Sequence, residues 1–513
     1  MTADRPAATN PVDLAGLTPS ALADGVLRGR PVSVLGFARS GIALARFLAD
    51  AGAIVTVYDG RPAGELTRAI GAIEGRPVRL LLGPDAAPDD ALEGASLVVA
   101  SPSINPDYPT TEPRLRAALA ALVARRAGGD RGAPALLSEV DLFLRLCPAP
   151  TVGITGTKGK TTTSALTHAL LATDPAHPAV LGGNIGVPLV ERLPELTQEH
   201  RVVLELSELQ LQTLSRGTTV AAYTNVTADH LDRHGTLEAY RRVKRRLAEL
   251  VDPAGALVVN LDDPIVAGYA DATDARVVPY RRGELPPNGL GVDHGWIVSD
   301  GLERLPIGGG GLTPGGRVMP AGELGVPGAH NISNALAAIA VALLLGIEPA
   351  AIRRAAGAFS GVEHRLERVA EIDGVRFVND SQGTQPDAVI AALRAFDGPI
   401  VLIAGGRDKG VDLTDLAAVV GRRAAAAVLI GESGPRLERL FREAGLRVTE
   451  RAASLDAAVA AAARLAAEAR GGRGAKATVL LSPAAASFDM FEDYEARGRA
   501  FKAAVAALVA EAG

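Results

Sequence analysis

The stretch GITGTKGKTTTSALTHALLA, residues 153–172, decides how the rest of the chain reads. A short β-branched run enters a glycine turn, and apolar residues then recur at helical spacing. Strand, glycine loop and helix in that order form an anion site. The glycines let backbone N–H groups converge on phosphate oxygens, and the helix turns its positive end toward them. Gly153 stands six positions before Gly159, where the general P-loop has five, so the working core is TGTKGKT, from Thr155 to Thr161. Gly156, Thr157, Lys158, Gly159, Lys160, Thr161 and Thr162 are the candidates to hold nucleotide phosphates. Lys160 offers positive charge and Thr161 a hydroxyl for Mg2+.

Downstream, VVLELSELQ ends a buried strand at Glu205. A carboxylate there either pairs structurally or reaches a metal at the carboxyl edge of the sheet. TNVTADHLDRHG, from Thr224, follows another strand and supplies Asn225, Asp229, His230, Asp232 and His234. No H-E-x-x-H spacing is present, so oxygen-seeking Mg2+ is a better match than zinc. Among the histidines only His230 is assigned a functional role; His168 and His234 read as ordinary helix or loop residues. Lys244 lies on a predicted helix among Arg241, Arg242, Arg245 and Arg246, where the default reading is a solvated basic face.

Two further α/β units flank this centre. From Pro31, PVSVLGFARSGIALARFLADAGAIVTVYDG reads strand, glycine turn, helix, strand. Its turn is G-x-A-x-x-G, with Ala38 in place of the middle glycine of the dinucleotide fingerprint and Asp59 ending the second strand. A nucleotide diphosphate at the helix N-terminus is favoured over an empty βαβ unit, with NAD or another nucleotide left open. The third unit alternates strands and helices from near Val362, and its polar loops NDSQGTQ, GGRDKG and SPAAASF follow strands, where parallel sheets bind ligands. The glycine-rich segment 281–316 reads as a β excursion, and AHNISNALAAIAVALLL as a long buried helix.

Composition narrows the function classes. The 513 residues carry a net charge of -5, so no basic field gathers nucleic acid or an anionic membrane. The lone Cys147 excludes an internal disulfide framework and a thiolate zinc cluster. The N-terminus lacks a signal-peptide core, and the longest apolar run is shorter than the roughly 20 residues of a spanning helix. A cytoplasmic protein without stable membrane insertion is expected.

GITGTKGKTTT, GGNIG, LELSELQL, TNVTADHLDRHG, GAHNISNALAA, GVEHRLE, NDSQGTQ and LLSPAAASFDMFEDYEARG occur in an order that resembles the Mur ligases. The resemblance spans all three units. It implies an α/β fold of three domains: a Rossmann-like UDP-substrate domain over 1–149, a central P-loop ATPase-type domain over 150–361, and a Rossmann-like glutamate-binding domain over 362–513. The implied activity is ATP-dependent addition of D-glutamate to UDP-N-acetylmuramoyl-L-alanine, in cytoplasmic peptidoglycan synthesis, by a monomer. Rival readings are a ligase of the same kind with another acceptor, L-glutamate included, and an NAD-binding oxidoreductase built on the first unit.

Carried over residue by residue, the resemblance puts Lys160 on the ATP phosphates, and Thr161, Glu205, His230 and Lys244 at two Mg2+ positions, Lys244 as a carbamate. Asn331, Arg365 and Asp380 match nucleotide contacts. Ala38, Arg39, Asp59, Arg61, Ser101, Pro102 and Asn184 match the UDP-substrate side, and Thr384, Lys409, Ser487 and Phe488 the amino-acid pocket. The chain departs from the family at Glu208, Leu209, Gln382 and Ser103, where serine, phenylalanine, lysine and glycine are usual.

Overall fold

The computed structural model describes residues 10–512 apart from 187, 230, 327, 409 and 472–474. Its first sheet is built from β1 (Pro31–Leu35), β2 (Ile54–Asp59), β3 (Val78–Leu82), β4 (Leu97–Ala100) and β5 (Ala135–Ser138). These strands pair in parallel in the order β3-β2-β1-β4-β5. From β1 the chain crosses to β2 on one side and later returns to β4 on the other. The carboxyl end of β1 is therefore a topological switch point, where such sheets open a crevice.

The central sheet comprises β6 (Thr151–Thr155), β7 (Ala179–Gly183), β8 (Arg201–Glu205), β9 (Val220–Tyr223), β10 (Ala256–Asn260), β11 (Arg276–Tyr280), β12 (Leu290–Asp293) and β13 (Trp296–Ser299). A short pair, β14 (Leu302–Glu303) and β15 (Leu312–Thr313), precedes its last member, β16 (Gly316–Pro320). The order β16-β13-β12-β11-β10-β9-β6-β8-β7 places β6 between β9 and β8, again at a switch point. The strands from β7 to β12 are parallel, and antiparallel hairpins finish the far edge, where the glycine-rich segment was expected to be β. Every residue of β6, β8, β9 and β10 is buried, because helices cover both faces. Helix Ala329–Leu344 packs against helix Lys160–Leu171, and its apolar positions from Ala335 to Leu344 are fully buried. No helix among the described residues is long and apolar enough to cross a membrane.

The chain divides into compact units after Phe359. The first and central sheets fall in one unit, and a single apolar cluster runs from Val34 and Leu44 through Phe143 and Val190 to Leu204 and Tyr223. A polar clamp reinforces it. The Asp141 carboxylate has no exposed surface. It accepts from Ser215 N–H at 2.8 Å, Ser215 Oγ at 2.6 Å and Arg216 N–H at 3.0 Å, and lies 3.6 Å from Arg145 Nε. Arg145 also donates to Ser215 Oγ and to the carbonyl of Leu14.

The second unit carries a separate sheet of β17 (Glu367–Ile372), β18 (Val375–Asn379), β19 (Ile400–Gly405), β20 (Ala424–Ile430), β21 (Thr449–Arg451) and β22 (Ala477–Leu481). The order is β17-β18-β22-β19-β20-β21, parallel except for the β17–β18 hairpin. The architecture is thus α/β throughout, with three sheets that each carry loops at their carboxyl edge.

Replacing Asp141 by alanine removes the clamp and leaves the partly buried Arg145 without its acid. A loss on the order of 3 kcal/mol in the stability of the first unit is expected. Urea unfolding followed by tryptophan fluorescence at Trp296 reads it, and a loss below about 0.5 kcal/mol would show that the clamp does not hold the unit together.

Candidate active site

The loop after β6 is held from two sides. Asn225 O accepts from Thr157 N–H at 2.7 Å, and Asn225 Oδ1 accepts from Lys158 N–H at 2.9 Å. The Lys158 carbonyl in turn accepts from Thr224 Oγ1 at 2.6 Å and Asn225 Nδ2 at 2.9 Å. Thr157 Oγ1 reaches Tyr240 OH at 3.0 Å. Gly156 and Gly159 both have positive φ, at 150° and 85°. A side chain on Gly156 would collide with Thr224 Oγ1, and one on Gly159 with the Asn334 amide. Both positions therefore need glycine for conformation and for close approach. Helix Lys160–Leu171 starts directly at the loop, without a side-chain cap on its first N–H groups, which leaves those donors available to an anion. Lys160 Nζ donates to the Thr157 carbonyl at 2.9 Å, and Thr161 is buried at the helix start.

Glu205, at the end of β8, is 2% exposed. Its Oε1 accepts from Asn184 Nδ2 at 2.8 Å, while its buried Oε2 has no hydrogen-bond partner among the described residues. A desolvated carboxylate oxygen left open suits a hard cation such as Mg2+. Among the described residues no three His, Cys, Asp or Glu side chains cluster to hold a metal. The residues present thus fit an ion that shares its coordination with phosphate oxygens and waters, as Mg2+ does at nucleotide sites.

Lys244 corrects its default reading. It is fully buried, not part of a solvated face. Helix Leu237–Leu250 exposes Arg242 and Arg245 on one side and turns Lys244 inward. Its Nζ donates to Gly156 O at 3.0 Å and Thr155 Oγ1 at 3.2 Å, and lies 5.6 Å from the centre of the Tyr240 ring. Burial, followed by the charge of Lys160, pushes its ammonium down to about 7, against the attraction of Glu208, Asp229 and Glu205. Asn331 meets the loop indirectly: its Oδ1 accepts from Asn334 Nδ2 at 3.2 Å, and Asn334 is the side chain against Gly159.

At the switch point of the first sheet, Ala38 caps the helix that begins with Arg39. Asp59 accepts from Phe37 N–H at 2.8 Å and pairs with Arg61 at 2.8 Å. Burial opposes ionisation of Asp59, but the hydrogen bonds from Arg61 and Phe37 hold its carboxyl below the usual range. The buried Ser101 Oγ has no partner among the described residues. Beside it is a cavity of about 250 Å³ lined by Gly36, Tyr58, Asp59, Ser103 and Glu112. Asn184, matched to the substrate side of the central domain, lies against Glu205 on the central sheet.

In the second unit, the loops after β18, β19 and β22 are joined through the backbone. Ala484 N–H donates to Gly383 O and Arg407 N–H to Ala486 O, both at 2.9 Å. Asp380 is buried and accepts from Ser482 Oγ at 2.6 Å and Leu366 N–H at 3.2 Å. Burial pushes its carboxyl up to about 6, opposed by the Ser482 and Leu366 hydrogen bonds and by Arg365. Thr384 and the buried Ser487 flank the joined loops, whereas Phe488 is 59% exposed. His230 and Lys409 lie outside the described residues.

Residues 154–342 match the Mur ligase middle domain, and residues 364–485 the Mur ligase glutamate ligase domain. The chain belongs to the Mur ligase family. It is 36% identical over 485 residues to the UDP-N-acetylmuramoylalanine--D-glutamate ligase of Caldanaerobacter subterraneus subsp. tengcongensis, covering 93% of this chain and 98% of that relative. Ligases of the same name from Symbiobacterium thermophilum and Geobacter metallireducens are 37% and 39% identical, over 94% of this chain and 99% and 98% of theirs.

Residues of this Mur ligase that the sequence reading missed are mostly supports. Asn334 stands one helical turn from Asn331, a spacing that could have drawn attention to it. Ser482, beneath Asp380, and Tyr240, beneath Thr157, have no local signal. They become visible only when distant segments meet.

Asp380 is a carboxylate kept where ionisation is costly. Its folded value lies above the ordinary 3.8, so its contribution to stability is full below pH 3.8 and is lost as pH rises through about 6. Replacing it by asparagine should therefore stabilise the second unit above pH 6, on the order of 2 kcal/mol, with the gain fading between pH 6 and 4. Thermal unfolding of the two proteins across that range measures this. A variant less stable at pH 7.5 would contradict the assigned cost.

Proposed function

We propose that the chain adds D-glutamate to UDP-N-acetylmuramoyl-L-alanine with cleavage of ATP to ADP and phosphate, as a monomer in the cytoplasm. The observation that carries the reading is the glycine cradle after β6, joined to the open carboxylate oxygen of Glu205 and the buried amine of Lys244, in a chain alike over its length to ligases of that name.

In this reading the loop from Gly156 to Thr162 and Asn331 hold ATP, Lys160 lies on its phosphates, and Arg365 and Asp380 contact the nucleotide. Ala38, Arg39, Asp59, Arg61, Ser101 and Pro102 hold the uridine nucleotide, and Asn184 the adjoining part of the substrate. The substrate carboxylate attacks the terminal phosphorus of ATP, forming an acyl phosphate and releasing ADP. The amine of glutamate attacks the acyl carbon, phosphate departs, and the amine loses a proton. Two anions must meet in line, so the protein's work is positioning and charge neutralisation. Thr161, Glu205, His230 and Lys244 would hold two Mg2+ ions, which supply further positive charge to the phosphates.

An ammonium at Lys244 would repel such ions, but its neutral amine can add CO2, losing a proton and leaving a carbamate. The low proton affinity imposed by burial favours that addition at neutral pH. Thr384, Lys409, Ser487 and Phe488 form the acceptor pocket. A cation with hydroxyl donors suits a side-chain carboxylate and leaves polar groups unpaired against a neutral one.

Phosphate release with ATP, Mg2+ and UDP-N-acetylmuramoyl-L-alanine tests the reading across D-glutamate, L-glutamate, D-aspartate, meso-diaminopimelate and L-lysine. D-glutamate should stimulate most. Strongest stimulation by a diamino acid would overturn the acceptor, and by L-glutamate its handedness. Lys160→Ala should lower the rate by about 10²–10³-fold or more with its unfolding transition unchanged. Lys244→Ala should lose most activity and regain part of it with added short carboxylic acids. An unaltered Lys244→Ala rate would remove the carbamate from the reading.

A further inference from the structure

The second unit buries an arginine that no step above uses. Arg497, in helix Tyr494–Ala512, is 1% exposed. Its Nε donates to Ser381 Oγ at 3.0 Å and its Nη2 to Ser381 O at 2.9 Å, while Nη1 donates to Ala485 O at 3.3 Å. Ser381 Oγ passes the bond on to Tyr494 O at 2.7 Å. Among the described residues no carboxylate pairs with this guanidinium. Burial pushes it down to about 10, with attraction from Asp489 opposing, so it is charged at neutral pH.

Such a group is costly to bury against neutral acceptors alone. Its placement suggests what offsets the cost. Ser381 is three residues from Thr384, and Ala485 two from Ser487, so one side chain fixes both hydroxyl-bearing loops from beneath. Elsewhere those loops are joined by backbone bonds such as Ala484 N–H to Gly383 O and, nearer the strands, by Ser482 Oγ to Asp380. Ala484 itself has φ of 56°, a conformation costly for a residue with a Cβ and kept only where the surroundings enforce it. Gln382 adds no charge there, and its partly buried Oε1 has no partner among the described residues. A ligand with carboxylates would meet a guanidinium that Asp489 attracts but that no acid among the described residues pairs with directly.

We propose that Arg497 is the positioning residue of the acceptor pocket, fixing the spacing of the Thr384 and Ser487 loops and supplying a buried positive charge behind the carboxylates of the acceptor amino acid. This rests on the function proposed above, and the experiment separates the two. Steady-state constants for D-glutamate, ATP and UDP-N-acetylmuramoyl-L-alanine are measured for wild type, Arg497→Lys, Arg497→Met and Ser381→Ala, with unfolding temperatures.

Arg497→Met should raise the KM for D-glutamate by about tenfold or more, with the KM for the other two substrates within twofold. Arg497→Lys, which keeps the charge but not the three-pronged contact, should fall between wild type and Arg497→Met. Ser381→Ala should raise the glutamate KM less than Arg497→Met, since the charge remains. If Arg497→Met does not fold, the lysine and serine variants decide alone. An unchanged glutamate KM in the folded variants, or a parallel rise for all three substrates, would reduce Arg497 to a structural role and overturn the proposal. Failure of D-glutamate to stimulate the wild type would instead overturn the function on which it rests.

Discussion

The site depends on a strap of hydrogen bonds from Thr224 and Asn225, at the end of one strand, to the glycine loop at the end of its neighbour. Glycines make the loop adaptable, and an adaptable loop would lose entropy on meeting phosphate. The strap removes that freedom in advance. It consumes the Thr157 and Lys158 amides and the Lys158 carbonyl, and the helix's own first N–H groups remain directed at the anion site. Tyr240 and Lys244 approach the same loop from one helix, so its geometry also depends on side chains 83 and 88 residues away.

Charge is arranged by burial as much as by composition. Lys244 and Asp380 are both shifted toward their neutral forms by desolvation, in separate units. Asp59 is partly buried too, yet its bonds to Arg61 and Phe37 keep it ionised. One physical cause therefore gives opposite outcomes, according to whether a partner of opposite charge stands within hydrogen-bond reach.

Local pattern made the α/β alternation legible, because strand and helix periods differ and glycine turns mark the crossings. The phosphate loop was legible for the same reason: strand, loop and helix are contiguous. Lys244 was not. Four neighbouring arginines suggested a solvated face, but a helix turns about 100° per residue, and the one basic side chain pointing inward cannot be identified from its neighbours. The core shared by the first two units was also hidden: the break near Val362 could be read, within a few residues of the division after Phe359, but three alternating patterns suggest three bodies and no local signal reports a core common to two of them. The clamp at Asp141 shows why: its partners Ser215 and Arg216 lie more than 70 residues downstream.

That shared core changes what a substitution can do. The first and central sheets share one apolar cluster, while each packs its other face into a cluster of its own, so part of the stability of either crevice is held in common. A residue such as Phe143 or Val190, far from any ligand, acts on both at once. Damage there reaches the frames of both crevices, and a repair within the cluster restores both. In genetic terms, compensating changes for a weakened phosphate loop should arise as readily beneath the first sheet as beneath the second, whereas those for the unit beyond Phe359 should arise within it.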